Sequence, residues 1–442
     1  MNELIIFTHK ISPRIKYVLK ILFEEIYEIN YQLVDNIELY KESKKIKINY
    51  SANKIKEKEI LIYPSGLLNQ RDIKEIDLKF FINNDIEYIF KSTADSYYLH
   101  DIFSAIFYLI SRYEEYLPHL KDKFGRYLHT ESIAYKKKFL RKPIVNIWAY
   151  HFVQHIKDNF PFLKVKKPVF KYISTIDIDN AFLIHGKGFV RSLAFLIKSA
   201  IKLNFKNIRL FISVLFQKGK DPLDTYSFQF ELQKKYNLNV KYFFLLADYG
   251  LNDKNLSHTN SKFISLIKRI SDIATVGIHP SFASNSDVSI LEKEISRLEV
   301  IQRREVLFSR QHFLKLSLPK TYKQLLSLGI TEDFTMGYAS ILGFRAGIAS
   351  PFSFYDLDME QILPIKIFPF AITDDILRFN LKLEADCVIN EIQDIVNSVK
   401  QVNGTLITVW HNNTFSNFGI WKGWKNVYEE VIKFIEKKNE NN

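Results

Sequence analysis

The chain has 442 residues, 47% apolar and 25% charged, with only 14 Gly and 12 Pro, so it has ample material for a large core and is not a disordered or low-complexity protein. A single cysteine, Cys387, excludes disulfide frameworks and thiolate zinc clusters, which leaves His, Asp or Glu to hold any metal. The net charge of +13 invites a nucleic-acid reading, but the lysines are dispersed and no arginine-rich arm, zinc finger or RNP-type motif is present, so no nucleic-acid partner is expected.

At this length two domains, or one barrel with an appendage, are expected. Residues 4–7 read as a strand. The start turns polar at Thr8, His9 and Lys10 before any signal-peptide core forms, which makes a cytoplasmic location the expectation. Ser12 and Pro13 form an N-cap and N1 pair that starts a helix to about Ile26. Residues 101–116 carry apolar residues at helical spacing, with Arg112, Glu114 and Glu115 at one end, and read as a buried helix used in packing. A turn-rich stretch at 118–130 and a helix at 145–159 lead to Pro161 and Pro168, the expected boundary between an α/β domain, 1–164, and a second domain, 165–442.

From there short β-branched and aromatic runs alternate with longer helical segments. Strands are expected at 169–176, 240–246, 274–278, 306–309, 341–344, 365–372 and 405–410. Such alternation means parallel strands with crossover helices, and about seven units suit a distorted (β/α) barrel. Residues 189–216 read as basic, aromatic-rich helices, with Lys198, Lys202, Lys206 and Arg209 among Phe195, Phe205 and Phe211. Charges interrupt their apolar tracts, so no segment is expected to cross a bilayer. They either cover the barrel with solvated lysines or rest on an anionic membrane surface.

In Ser174-Thr175-Ile176-Asp177-Ile178-Asp179-Asn180, period-two geometry puts Asp177 and Asp179 on one face. Two buried carboxylates side by side repel unless a cation lies between them or one turns to solvent. An isolated Asp-x-Asp is more often a turn or a helix cap. Here, however, His279, Arg310, His312 and His411 follow three other expected strands, and parallel barrels gather their chemistry on that rim. Three histidines, two aspartates and an arginine at four strand ends form a metal-hydrolase pattern.

The order Thr175-Ile176-Asp177-Ile178-Asp179, Gly277-Ile278-His279-Pro280-Ser281, Ser309-Arg310-Gln311-His312-Phe313 and Val409-Trp410-His411-Asn412 resembles the NodB-homology polysaccharide deacetylases. It has the features of a branch, common in Bacteroidetes-type genomes, whose catalytic domain follows an N-terminal domain of unassigned function. The resemblance implies metal-dependent removal of an N-acetyl group from an amino sugar of a cell-surface polysaccharide or its lipid-linked precursor. It makes Asp177 the base and His411 the acid; Arg310 either orients Asp177 through a paired hydrogen bond or forms a structural salt bridge.

The sequence also departs from the family pattern. Ile178 stands where the family's metal Asp follows the base, with Asp179 one position later, and Ala283 stands where a second metal histidine is usual. His312 could supply the missing imidazole, which gives one divalent ion, zinc by its donors, on Asp179, His279 and His312. Otherwise the domain uses metal-free chemistry or is a catalytically inactive glycan-binding module. Ser281 and Ser284 either bind substrate or cap a helix, Arg345 and Asp333 are further rim candidates for substrate, and Asp248 and Asp374 read as turn formers.

Overall fold

The computed structural model describes residues 3–92, 98–216 and 218–437. The first strand, β1 (Leu4–Thr8), is buried along its whole length, which fits the centre of a parallel sheet. It lies between β2 (Tyr31–Val34) and β3 (Ile46–Tyr50), and β4 (Ile60–Ile62) extends the sheet in the order β2-β1-β3-β4, all parallel. Ser12 caps the helix that follows β1 by accepting from the Ile15 N–H, with Pro13 in the first turn. A small hairpin, β5 (Phe81–Asn83) and β6 (Ile86–Tyr88), turns through Asn84 and Asp85, both at positive φ.

The second sheet has nine strands: β7 (Lys171–Ile178), β8 (Asn239–Phe244), β9 (Thr275–Ile278), β10 (Phe308–Ser309), β11 (Glu332–Asp333), β12 (Phe352–Asp356), β13 (Gln361–Ile367), β14 (Ile372–Thr373) and β15 (Thr405–His411). Their order is β12-β13-β11-β10-β9-β8-β7-β15-β14, and every pair is parallel except β12 with β13. The molecule is therefore α/β with a mostly parallel sheet, and among the described residues no pairing joins β12 to β14.

Most expected strands are present with ends shifted by a few residues. The expected strand at 341–344 is not formed. Its Gly343 has φ +132° and donates to Ala371 O, while the Phe344 N–H donates to Leu140 O, so this apolar run is buried as irregular chain. The expected strand at 365–372 is divided between β13 and β14, and β12 pairs antiparallel beside it.

One continuous apolar cluster joins the two sheets, from Leu4 and Ile6 through Phe107 and Trp148 to Tyr355 and Ile435. Polar ties cross the same boundary. Buried Arg14 pairs with Glu360, Tyr17 donates to Ser353 O, and Glu25 accepts from Ser353 and Lys366. The helix Ile102–Ile110 is wholly buried, and beyond it Arg112 pairs with Glu114 and Glu115.

Candidate functional site

Five strands deliver side chains to one cavity. Asp177 lies near the end of β7, paired in register with His411 at the end of β15, and Asp179 leaves the strand just beyond. His279 and Arg310 are the first residues past β9 and β10. Gly277 lets β9 approach its neighbours closely, because a Cβ there would lie 2.7 Å from Phe308 O and 2.8 Å from the Phe243 ring. The cavity, about 220 Å³, is lined by Asp177, Asp179, His279, His312 and His411 among others.

Asp179, His279 and His312 offer donor atoms that all lie within 4.8 Å of one another. Nε2 of His279 is 3.3 Å from Asp179 Oδ1, and Nε2 of His312 is 3.9 Å from Asp179 Oδ2. Each imidazole is held from behind. His279 Nδ1 lies 2.5 Å from Arg310 O, and His312 Nδ1 lies 2.8 Å from the Asp253 carboxylate. Nδ1 must donate to these acceptors, which leaves each neutral ring with its Nε2 lone pair turned to the cavity, as in carboxylate-oriented and carbonyl-oriented metal ligands.

Asp179 Oδ1 is buried with no other hydrogen-bond partner, and facing a neutral His279 it meets the Nε2 lone pair, a conflict that only a proton or a metal ion between them relieves. A cation resolves this conflict, and two donors on one tetrahedral ion at ~2.0–2.1 Å stand about 3.3 Å apart. The residues present fit a divalent metal. Without a cation, burial disfavours the Asp179 charge, but the neighbouring His279, His312 and His411 outweigh it and hold its carboxyl well below the usual range. Burial likewise disfavours charge on His279, and the Asp177 and Asp179 carboxylates push its pKa up.

Asp177 is buried beside this group, with Oδ1 accepting from Arg310 Nη1 at 2.9 Å and Oδ2 3.9 Å from His279 Nε2. Arg310 is itself buried, donates to Phe334 O and lies over the Phe243 ring, so it fixes Asp177 from behind and does not line the cavity. On the neighbouring strand His411 Nδ1 lies 2.8 Å from Asp374 Oδ1, while its backbone N–H and the Thr414 hydroxyl occupy Asp374 Oδ2. Burial alone would lower His411, but Asp375, Asp374 and Asp179 overcome it and hold the ring well above its ordinary pKa.

The other expected rim residues lie elsewhere. Arg345 is buried in a pair with Glu115, 2.8 and 2.6 Å away, and does not line the cavity, because two guanidiniums, Arg112 and Arg345, share that carboxylate. Asp333 accepts from Ser309, from the Thr335 hydroxyl and from the Thr335 N–H, so it ties β10 to β11 instead of facing the cavity. Ser281 donates its N–H to Glu294 and accepts from the Ser284 N–H within a turn, and the helix that follows is capped by Asp287, so neither serine is its cap.

Sequence reasoning missed Asp253 and passed over Asp374. Asp253 lies in a loop after β8 with no motif around it. Asp374 directly follows β14, the same strand-end position that singled out the histidines. Arg126, Phe313 and Asp375 also line the cavity, and Arg126 arrives from the N-terminal part of the chain, held by Asp122 and Phe313 O.

Residues 4–161 match a family of unknown function, DUF7033. No curated protein matches the chain. Similar solved structures include a candidate polysaccharide deacetylase from Mycobacterium smegmatis, with 13% identity over 60% of this chain and 87% of that one and a TM-score of 0.37. The allantoinase Puue has 11% identity over 60% and 83%, TM-score 0.38, and the polysaccharide deacetylase Bc1974 from Bacillus cereus has 12% over 60% and 87%, TM-score 0.29. These likenesses are distant.

Proposed function

We propose that the cavity removes the acetyl group from an N-acetylated amino sugar of a cell-surface polysaccharide or its precursor, a hydrolysis that needs one divalent metal. The observation that carries this reading is the meeting of Asp179, His279 and His312 in one cavity that a buried carboxylate, Asp177, and an Asp-held imidazole, His411, also line. In this reading residues 165–442 form the catalytic domain, the nine-stranded sheet is a distorted barrel open between β12 and β14, and residues 1–164 form a second domain packed on it.

Asp179, His279 and His312 hold the ion, zinc by its mixed carboxylate and imidazole donors, and when bound it supplies Lewis acidity that polarises the acetamide carbonyl and eases deprotonation of water. Asp177 accepts the proton of the attacking water on Oδ2, since Oδ1 is engaged by Arg310. Arg310 is a positioning residue that keeps Asp177 aimed. His411, held protonated by its carboxylate neighbours and oriented by Asp374, gives its proton to the departing nitrogen as the C–N bond breaks. The water oxygen ends in acetate, and the sugar leaves as a free amine.

Acetate release from acetylated chito-oligosaccharides by the zinc-supplemented protein tests the reading. Asp177→Asn and His411→Ala are expected to lower turnover at least ~100-fold while leaving the unfolding midpoint within a few degrees of wild type. Wild-type rates in either variant would overturn the roles. A second reading, a glycan-binding module without turnover, is favoured by Ala283 and Ile178 at two family metal positions. It predicts oligosaccharide binding with no acetate from the metal-loaded protein.

A further inference from the structure

We propose that the helical hairpin inserted after β7 is a docking surface for an anionic lipid bilayer. The hairpin consists of the helices Gly188–Ile201 and Phe205–Leu215. This inference is independent of the hydrolase reading, because it uses none of the cavity residues.

Residues 186–220 contain eight lysines and arginines and not one aspartate or glutamate. The same segment exposes large apolar side chains: Ile201, Leu203 and Phe205 at the turn are 78%, 74% and 72% exposed, and Leu215 and Phe216 at the far end are 60% and 68% exposed. Scattered exposed leucines are ordinary on a protein surface, but this many in one hairpin among cations with no acid are not. The inner side of the hairpin is satisfied by its own small cluster of Ile184, Phe211 and Val214, separate from the main core. Among the described residues the outer apolar side chains stay exposed, and an apolar recess of about 410 Å³ opens between the helices beside Leu193, Leu196 and Leu215.

The two stems of the hairpin are tied to each other and to the loop after β8. Buried Asp221 accepts from the N–H groups of Leu183, Ile184, His185 and Leu223, which joins the chain entering the hairpin to the chain leaving it. Arg191 donates to Lys254 O and Asn255 O and lies over Tyr249, whose neighbour Leu251 is 88% exposed. A surface built this firmly is presented in one orientation.

Charge selects the occupant. A second copy docking by symmetry would set eight cations against eight, with no acid to offset them. An anionic bilayer satisfies both features at once, because headgroups neutralise the lysines while Leu203, Phe205 and their neighbours enter the acyl boundary. Among the described residues no helix is long and apolar enough to cross a membrane, so the hairpin lies in the interface plane.

The test is sedimentation of the full chain with vesicles of phosphatidylcholine alone and of phosphatidylcholine with phosphatidylglycerol. The wild type is expected to pellet only with the anionic vesicles and to be released by salt. A Lys198→Gln, Lys202→Gln, Lys206→Gln variant is expected to weaken binding by about a hundredfold, from about fivefold for each lysine lost. An Ile201→Ser, Leu203→Ser, Phe205→Ser variant is expected to lose binding at least tenfold while keeping the wild-type unfolding curve, since all three side chains are exposed. No pelleting on anionic vesicles at low salt, or unchanged binding by the apolar variant, would overturn the proposal. So would a dimer in sedimentation velocity that the apolar variant dissociates, because it would assign the face to a second copy.

Discussion

Glu294 is fully buried, with Oε2 accepting the Ser281 N–H at 2.9 Å and Oε1 unpartnered. Burial pushes its pKa from an ordinary 4.5 up to about 7. Between those values the folded chain holds a proton that the unfolded chain has lost, so stability falls as pH rises from about 4.5 to about 7 and the cost is complete above that. Its size is on the order of 3 kcal/mol. Glu294→Gln keeps an acceptor for Ser281 and removes the charge. Its stability relative to wild type, measured by urea unfolding, is expected to improve by about 2 kcal/mol between pH 5 and pH 8. Parallel profiles for the two proteins would contradict this account.

At this scale the sequence was informative where a strand aims a side chain and silent where a loop does. Asp177, Asp179, His279 and His411 were legible because β7, β9 and β15 end at or beside them. Asp253, which orients His312 from 2.8 Å, sits in a loop whose path no periodicity predicts. Arg345 carries the right chemistry for a rim residue, but only the folded chain reveals that Glu115, 230 positions earlier, takes both its Nε and Nη2 donors.

Among the elements, β9 shows how backbone spacing controls the site. It lies between β8 and β10, and its Gly277 faces both Phe308 O and the Phe243 ring at distances no Cβ tolerates. Gly277→Ala must push β9 away from β10, which displaces His279 and Arg310 together. The expected cost is about 1–3 kcal/mol in urea unfolding, the range for an overpacked core. A variant as stable as wild type would mean that the strands are not held this closely. Long buried strands such as β7 and β15 could be read from their apolar runs, whereas β10, β11 and β14, two residues each, are defined by pairing more than by pattern. The run at 341–344 has strand composition but no strand neighbour, since Gly343 and Phe344 bond to Ala371 and Leu140.

For the molecule as a whole, the N-terminal sheet and the nine-stranded sheet share one apolar cluster and a buried ion network. Burial disfavours charge on Glu115, but Arg345 and Arg112 outweigh it and hold the carboxyl down at about 2. Removing that carboxylate leaves buried Arg345 without its ion-pair partner and Arg112 with Glu114 alone, so Glu115→Ala is expected to cost 3–5 kcal/mol, about the penalty for breaking a buried pair. A change below about 1 kcal/mol in denaturant unfolding would show that the network does not join the two parts. The boundary expected near residue 164 marks a change of sheet, yet composition could not reveal how tightly the parts join, because Arg14, Glu115 and Arg126 find their partners only in three dimensions.

The central claim, that Asp179, His279 and His312 hold one divalent ion, is tested most directly by elemental analysis of the full chain after zinc loading and exhaustive dialysis. The account predicts one zinc per chain in the wild type and loss of that zinc in both His279→Ala and His312→Ala. A wild type that retains no metal, or variants that retain as much as it does, would contradict it.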